Sequence, residues 1–388
     1  MKEPALSRRA ASVRSSVIRD LLHLTEQPHI LSLAGGLPAV EAFPVADVQA
    51  ATARVLAEGP GGLQYSTTEG HPPLRSWVAE HTGVDSTSPD QVLITAGSQQ
   101  ALDLIARAML DPGDVVVIDD PGYLGAIQAL SLAEPTFVPV PVDADGMDVD
   151  HLASLLEGGL RPKLCYTVGA FQNPSGATLV DDRRRRLAAL AEEHGFLVVE
   201  DDPYGHLRWT GTAPTPLGTF TDRCVRLGTF SKIVAPGLRV GWLAAPPWLA
   251  AALVKLKQAA DLHTSSLSQR IIGDLVLQPG WFEAHVARIV PIYAERSAAL
   301  AAALRDHVGE ALAFDEPSGG MFLWAALTGG GDAEALLRQA VDAGVAFVPG
   351  SAFGVDGTGH RDRVRLSFAT LTPDDLDEAA RRLAKVLL

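Results

Sequence analysis

Between residues 90 and 260, short apolar runs alternate with stretches of helical period, and this alternation restricts the fold more than any other feature. VLITAG at 92–97 leads into SQQALDLIARAML, and VVVIDD is followed by a short helix from Tyr123 and then TFVPV. KLCYTV precedes the loop GAFQNPSG and the helix DDRRRRLAALAEEHG. FLVVEDD, RCVRLG and LRVGWLAA complete the series. Strands that are apolar on both faces and separated by helices pack into a mostly parallel α/β sheet. The C-terminal third reads differently. A long helical pattern, VARIVPIYAERSAALAAALRDH, precedes the strand-like GGMFLWAAL, VAFVPG and RVRLSFA, and the chain ends in the helix PDDLDEAARRLAKVLL. These residues predict a smaller α+β domain. The expected division is an N-terminal arm at 1–40 that joins the small domain, a large domain at 41–275 and a C-terminal domain at 276–388.

In an open α/β sheet, ligands bind beyond the carboxyl ends of the strands. VLITAG ends in Gly97-Ser98-Gln99 at a helix start, and VVVIDD ends in Asp120-Pro121-Gly122-Tyr123. KLCYTV runs into a loop with Asn173, FLVVE into Asp201-Asp202-Pro203-Tyr204, and RCVRLG into Thr229, Ser231 and Lys232. Taken singly, each is weak: a strand-end Asp or a Ser at a helix start is more often a cap. Together, five strand ends deliver groups suited to a planar aromatic ring carrying a phosphate. The helix start at Ser98 offers free N–H groups and a positive dipole end, and Ser231 and Arg239 add charge-assisted bonds. Tyr123 can stack on a ring, Asp201 can pair with a protonated ring nitrogen, and Asn173 and Tyr204 can bond a ring oxygen. Lys232 can condense with a ring aldehyde.

In family order, LAGGLP (33–38), LQYSTTEG (63–70), ITAGSQQAL (94–102), DPGY (120–123), FQNPSG (171–176), VVEDDPY (198–204), GTFSK (228–232), PGLRVGW (236–242) and RLSFA (365–369) resemble the fold-type I pyridoxal-phosphate aminotransferases of class I and II. The resemblance covers essentially the whole chain. It is most similar to the α-aminoadipate and kynurenine aminotransferase branch, to which SVIR at 16–19 and ADLHTSSLSQ at 260–269 also belong. The resemblance implies a large domain with a mostly parallel seven-stranded sheet and pyridoxal 5′-phosphate held covalently on Lys232, cycling with pyridoxamine 5′-phosphate (PMP). Asp201 would be the ring-nitrogen partner, Asn173 and Tyr204 would hold the ring hydroxyl, and Tyr123 would stack. Ser98, Gln99, Ser231 and Arg239 would form the phosphate cup. Tyr65 would reach the phosphate of a neighbouring subunit, which makes the expected enzyme a homodimer with shared sites. Arg365 would clamp the substrate α-carboxylate. Gly36 and Asn173 would contact the substrate, and Arg19 would meet its distal end. The resemblance also implies cis peptides at Asn173-Pro174 and Asp120-Pro121.

The function so implied is ping-pong transamination between an L-amino acid and a 2-oxo acid. Lys232 would act as proton shuttle, which requires a pKa well below that of a free lysine. The rival readings are a β-lyase, decarboxylase, cyclase or oxidase on the same fold, since fold does not decide reaction. A transcriptional regulator of related fold would need a DNA-binding domain, and only about 30 residues precede LAGGLP. The substrate is open between aminoadipate, aromatic or branched amino acids and an arginine-derived oxo acid. The segment SVIRDLLHLTEQ carries mixed charge where relatives acting on aminoadipate are more basic.

Composition narrows the rest. A formal net charge of −14 argues against nucleic acid as partner, and no apolar run reaches membrane-spanning length. The Arg- and Ser-rich N-terminus runs straight into an amphipathic stretch and reads as a folded arm rather than a transit peptide. Arg183 to Arg186 read as a solvated helix face, and Cys165 and Cys224 as buried, reduced thiols suited to a cytoplasmic enzyme. No metal-ligand spacing occurs among the eleven histidines, of which His263 is the nearest to a functional one.

Overall fold

The computed structural model describes residues 5–12, 27 and 29–388. Arg19 and the rest of the segment 13–26 lie outside the described residues. The strands in chain order are β1 (Leu31–Ser32), β2 (Val92–Thr95), β3 (Val115–Asp120), β4 (Thr136–Asp143), β5 (Gly146–Met147), β6 (Leu164–Val168) and β7 (Leu197–Asp201). They continue with β8 (Cys224–Thr229), β9 (Gly241–Ala244), β10 (Leu312–Phe314), β11 (Phe322–Leu327), β12 (Val345–Ala346), β13 (Val348–Pro349) and β14 (Arg363–Ser367).

The large sheet has the order β2-β9-β8-β7-β6-β3-β4-β5. The pairs from β4 through β3, β6 and β7 to β8 are parallel, whereas β9 and the outermost pairs are antiparallel. The expected seven strands are present, and the correction is an eighth. The turn in DADGM folds Gly146–Met147 back on the end of β4, and Gly146 holds φ 91 there. Every residue of β6 and β7 is buried, as strands covered on both faces must be. Pro139 and Pro141 sit in β4, near the sheet edge, where a missing N–H is tolerated.

A four-stranded antiparallel sheet, β10-β11-β14-β13, forms from the C-terminal third. β1 pairs in parallel with β12, which ties the N-terminal segment to that layer. The helix Trp281–His307 lies against the C-terminal helix Pro373–Leu387 and buries Ile289, Leu300 and Leu304, each contributing about 1.5–3 kcal/mol. Among the described residues, no helix is long and apolar enough to cross a membrane.

The arginine run departs from expectation. The helix Asp181–His194 buries Arg184, Leu187, Ala188 and Ala191, a stripe with helical spacing. Arg184 therefore points at the sheet, where it pairs with Glu200 of β7 and donates to the Leu179 and Gly169 carbonyls at 2.7 and 2.6 Å. Arg183, Arg185 and Arg186 pair with surface carboxylates, as a solvated face would. Both Cys165 and Cys224 are buried free thiols.

Candidate active site

Beyond the carboxyl ends of the parallel strands lies a cavity of about 250 Å³. β7 ends in Asp201, which is almost fully buried. Its Oδ2 accepts a hydrogen bond from the Tyr166 hydroxyl at 2.8 Å, while Oδ1 is buried without a partner. Burial raises the carboxyl pKa to about 7, against the opposing pull of that hydroxyl. After β8 the chain turns through Ser231 to Lys232, whose Nζ donates to the Gly36 carbonyl at 2.8 Å. Burial first, then the nearby Arg365 and Arg239 charges, lower the lysine pKa to about 8.

At one end of the cavity, Gly97 holds φ 91 and starts the helix Ser98–Met109. A side chain at position 97 would come within 2.6 Å of the Arg239 guanidinium. The Ser98 Oγ is buried and unpartnered, and the first backbone N–H groups of the helix have no intrahelical acceptor. Gln99, Ser231 and Arg239 line the same cavity. Arg239 falls within the strand-like run LRVGWLAA, yet the strand begins only at Gly241. Arg239 sits at φ 53 after the turn Pro236–Leu238, two residues ahead of β9, and donates to the Ala96 carbonyl at 3.0 Å.

Arg365, in the middle of β14 and fully buried, also lines the cavity. It donates to Asn173 Oδ1 at 2.9 Å and to the Ala34 carbonyl at 2.6 Å, and its Nε has no partner. The guanidinium stacks 4.2 Å from the Phe322 ring and 5.0 Å from that of Phe353. Burial lowers its pKa to about 10, so it stays charged at neutral pH. Tyr123, half-buried before the helix Leu124–Ser131, and Tyr204, buried edge-on to Phe322 at 5.8 Å, complete the walls. Burial pushes the phenol of Tyr123 up to about 12 and that of Tyr204 higher still. The Asn173-Pro174 and Asp120-Pro121 peptides are cis, as expected.

Thus eleven of the residues singled out from the sequence meet at one cavity: Gly36, Ser98, Gln99, Tyr123, Asn173, Asp201, Tyr204, Ser231, Lys232, Arg239 and Arg365. Tyr65 does not. It is 78% exposed, edge-on to His263 at 5.7 Å. Arg19 lies outside the described residues. The sequence reading missed Tyr166, Phe322 and a network behind the helix start. There the fully buried Lys257 donates to Gln100 Oε1 at 2.9 Å, and Gln100 Oε1 accepts from the Ala96 N–H at 2.8 Å. Lys257 also pairs with Asp261 at 2.8 Å. The sequence signal was a cation in register with the apolar stripe Leu249, Ala250 and Leu253 of the helix PWLAAALVKLKQAA.

The orphaned buried atoms test the implied cofactor. Ser98 Oγ is free to donate at a helix start, Asp201 Oδ1 to accept, and Arg365 Nε to donate. A phosphate, a protonated ring nitrogen and a carboxylate satisfy that set, so the residues fit a phosphorylated pyridine ring with an amino-acid substrate.

Comparison with known proteins agrees. Residues 28–383 match the family described as aminotransferase class I and II. The 2-aminoadipate transaminase of Thermus thermophilus is 43% identical, over 99% of this chain and 96% of the relative. The aromatic-amino-acid aminotransferase 1 of Thermococcus litoralis is 41% identical, over 99% and 94%. The kynurenine aminotransferase of Pyrococcus horikoshii, solved in complex with PMP, with KYN as substrate and KYA as product, superposes with a TM-score of 0.94 at 39% identity, covering 98% of this chain and 96% of that one. With this fold, cavity and ancestry, the chain belongs to the class I and II aminotransferases and is a transaminase that uses pyridoxal 5′-phosphate.

Proposed function

We propose that this cavity transaminates L-amino acids with a long or aromatic side chain against a 2-oxo acid. One observation carries the assignment of roles: among the described residues, Lys232, Arg239 and Arg365 line a single cavity with one carboxylate, Asp201. Such an excess of cations calls for a ligand set with two anionic ends. Arg239, Ser231 and the helix start at Ser98 hold the phosphate end, with Gln99 beside them. Arg365 holds the substrate carboxylate with its free donors. Asp201 pairs with the ring nitrogen, Tyr123 lies against the ring, and Asn173 and Tyr204 bond the ring hydroxyl. The bound cofactor supplies the electron sink that makes the substrate α-proton removable. Lys232 Nζ anchors the cofactor in the resting state and, once freed, accepts that α-proton. Its lowered pKa, about 8, gives a neutral fraction of roughly a tenth at pH 7 that grows as pH rises. The Gly36 carbonyl orients the amine.

The side-chain preference is supported by the apolar Phe322 beside Arg365 and by the names of the two relatives above. A single-turnover screen of amino acids, following bleaching of the cofactor absorbance and formation of PMP, tests it. Fast turnover confined to small or cationic amino acids would defeat the preference. Recovery of pyruvate and ammonia without PMP would favour a β-lyase instead.

The working unit we propose is a homodimer. Tyr65 stands in the open with Leu37, Val40, Val45 and Leu63, all exposed, which suits a surface covered by a second copy. Tyr65 then reaches the partner's phosphate cup. Mixing inactive Lys232→Ala and Tyr65→Phe proteins should restore part of the activity if each subunit completes the other's site. No recovery in a proven mixed dimer would refute shared sites. The division into 1–40, 41–275 and 276–388 is part of this reading, supported by sheet membership: β2 to β9 fall in the middle section and β10 to β14 in the last. The two buried free thiols support a reducing, cytoplasmic setting.

A further inference from the structure

Tyr166 lies in β6 with no exposed surface, in a strand whose other members are Leu164, Cys165, Thr167 and Val168. A buried phenol needs a partner, and here the partner is chemically pointed. β6 and β7 are parallel, with Tyr166 opposite Val199 and Val168 opposite Asp201. Tyr166 and Asp201 therefore project from the same face, two residues out of register. Only a long side chain leaning along the strand bridges that offset, and the phenol does so, 2.8 Å from Asp201 Oδ2. One carboxylate oxygen is thereby taken inside the sheet, and the other, Oδ1, is left without a partner at the cavity.

We propose that Tyr166 is a positioning residue for the cofactor: its hydroxyl locks Asp201 with Oδ1 toward the ring nitrogen and stabilises the carboxylate in its ionised form, so that the shared proton resides on the nitrogen. This rests on the reading of Asp201 given above. Among the alternatives for that proton, a neutral carboxyl would be favoured by burial alone, since burial disfavours the charged form. A charge-assisted hydrogen bond from a fixed donor works against it. The acids facing this pair are Asp202 next in sequence, Tyr123, Tyr204 and Asp119 in β3, and any charge they carry is negative and disfavours an ionised Asp201. The cations Lys232, Arg239 and Arg365 line the same cavity and favour ionisation through space, without a hydrogen bond to Asp201. Tyr166 is its hydrogen-bond donor.

The test uses holoenzyme reconstituted with pyridoxal phosphate carrying ¹⁵N in the ring, whose chemical shift reports protonation of that nitrogen. In Tyr166→Phe the ring nitrogen should lose its proton about one pH unit or more lower than in the parent, as loss of a hydrogen bond to a charged group implies. kcat should fall about tenfold or more, with KM within about twofold. Replacement of Tyr166 by 3-fluorotyrosine, a stronger donor of nearly equal volume, should move the nitrogen titration the other way, and it serves where Tyr166→Phe fails to fold. An unchanged nitrogen titration in either variant overturns the proposal. Asp201→Asn is the control for the underlying reading. If it leaves the nitrogen signal unchanged, Asp201 is not the ring partner. If it moves the signal while Tyr166→Phe does not, Tyr166 is packing alone.

Discussion

Replacing Arg365 by Lys keeps the charge and removes the fork, so it isolates what the guanidinium geometry contributes. Arginine has five N–H donors. Two are engaged, one by Asn173 Oδ1 and one by the Ala34 carbonyl, which leaves three, including the buried Nε. Two parallel bonds to a substrate carboxylate are thus available alongside the existing pair. A lysine has three donors. Serving Asn173 and Ala34 leaves one, so the variant loses one charge-assisted bond to the substrate, about 1.5–3 kcal/mol. At 1.36 kcal/mol per tenfold, kcat/KM for an amino acid should fall roughly 10- to 150-fold. The stack of the guanidinium on Phe322 and Phe353 is lost too, and that affects all substrates alike. The assay is therefore a ratio. Single-turnover rates are measured for an amino acid and for the corresponding amine, which lacks the carboxylate, in parent and variant. The amino acid should lose more than the amine in Arg365→Lys, the amine losing only what the stack contributes to every substrate. Equal losses on both substrates, or an unchanged kcat/KM, would refute carboxylate binding by Arg365.

Loading of the apoprotein with pyridoxal phosphate should accelerate about tenfold per pH unit up to about pH 8 and then level off, because the neutral Lys232 amine is the reactive form. The same depressed pKa means that the unfolded chain binds more protons between about pH 8 and 10.5, so Lys232 should make the apoprotein more stable as pH rises through that window. Stopped-flow absorbance and thermal melts against pH measure the two, and a loading rate flat from pH 7 to 9 would refute the lysine assignment. Arg184→Met should cost about 3 kcal/mol by urea unfolding, since it strands Glu200 in the core, though Arg226 remains 3.5 Å from it. Adding Glu200→Gln should recover much of that loss, and a cost under about 1 kcal/mol would show that the pair is not a core contact. Gly97→Ala should store about 1–3 kcal/mol of strain at φ 91 and displace Arg239, so the cofactor should leave at least about tenfold faster on dialysis. Unchanged retention would remove Arg239 from the phosphate end.

Much of the site was legible because residues such as Ser98, Tyr123 and Asp201 close a strand or stand at a helix start, and such ends are marked locally by Gly, Pro, Asp and Ser. Gly97-Ser98 and Asp201 are of this kind, and the structure gathers them at one cavity. Arg365, in the middle of β14, was legible only through the resemblance of RLSFA. What escaped lies inside elements. Tyr166 sits mid-strand, and its partner is set by the register of β6 against β7, which no local pattern encodes. Lys257 looks like one more helix-surface lysine until the packing of two helices turns it inward toward Gln100. Arg184 was legible in part, since the stripe 184, 187, 188 and 191 was readable from spacing. The charge run masked it. The eighth strand is two residues long, too short for any periodicity.

The three cations of the cavity also explain one another. Lys232 carries the pKa nearest neutrality because it is buried and because Arg365 and Arg239 repel its charge. Arg365 is itself depressed, yet only to about 10, so at neutral pH the proton that yields is the lysine's. Under the proposed roles the two arginines do two things in sequence. Before either anion is bound they add to burial in lowering the lysine pKa to about 8, which enlarges the neutral fraction fit to condense or to accept a proton. Once a phosphate faces Arg239 and a carboxylate faces Arg365, that repulsion is screened, and Lys232 becomes a stronger base when an α-proton is presented to it. An amine without a carboxylate screens only one of the two charges. It should therefore meet a weaker base as well as a looser grip, and the amino-acid-to-amine ratio reads both.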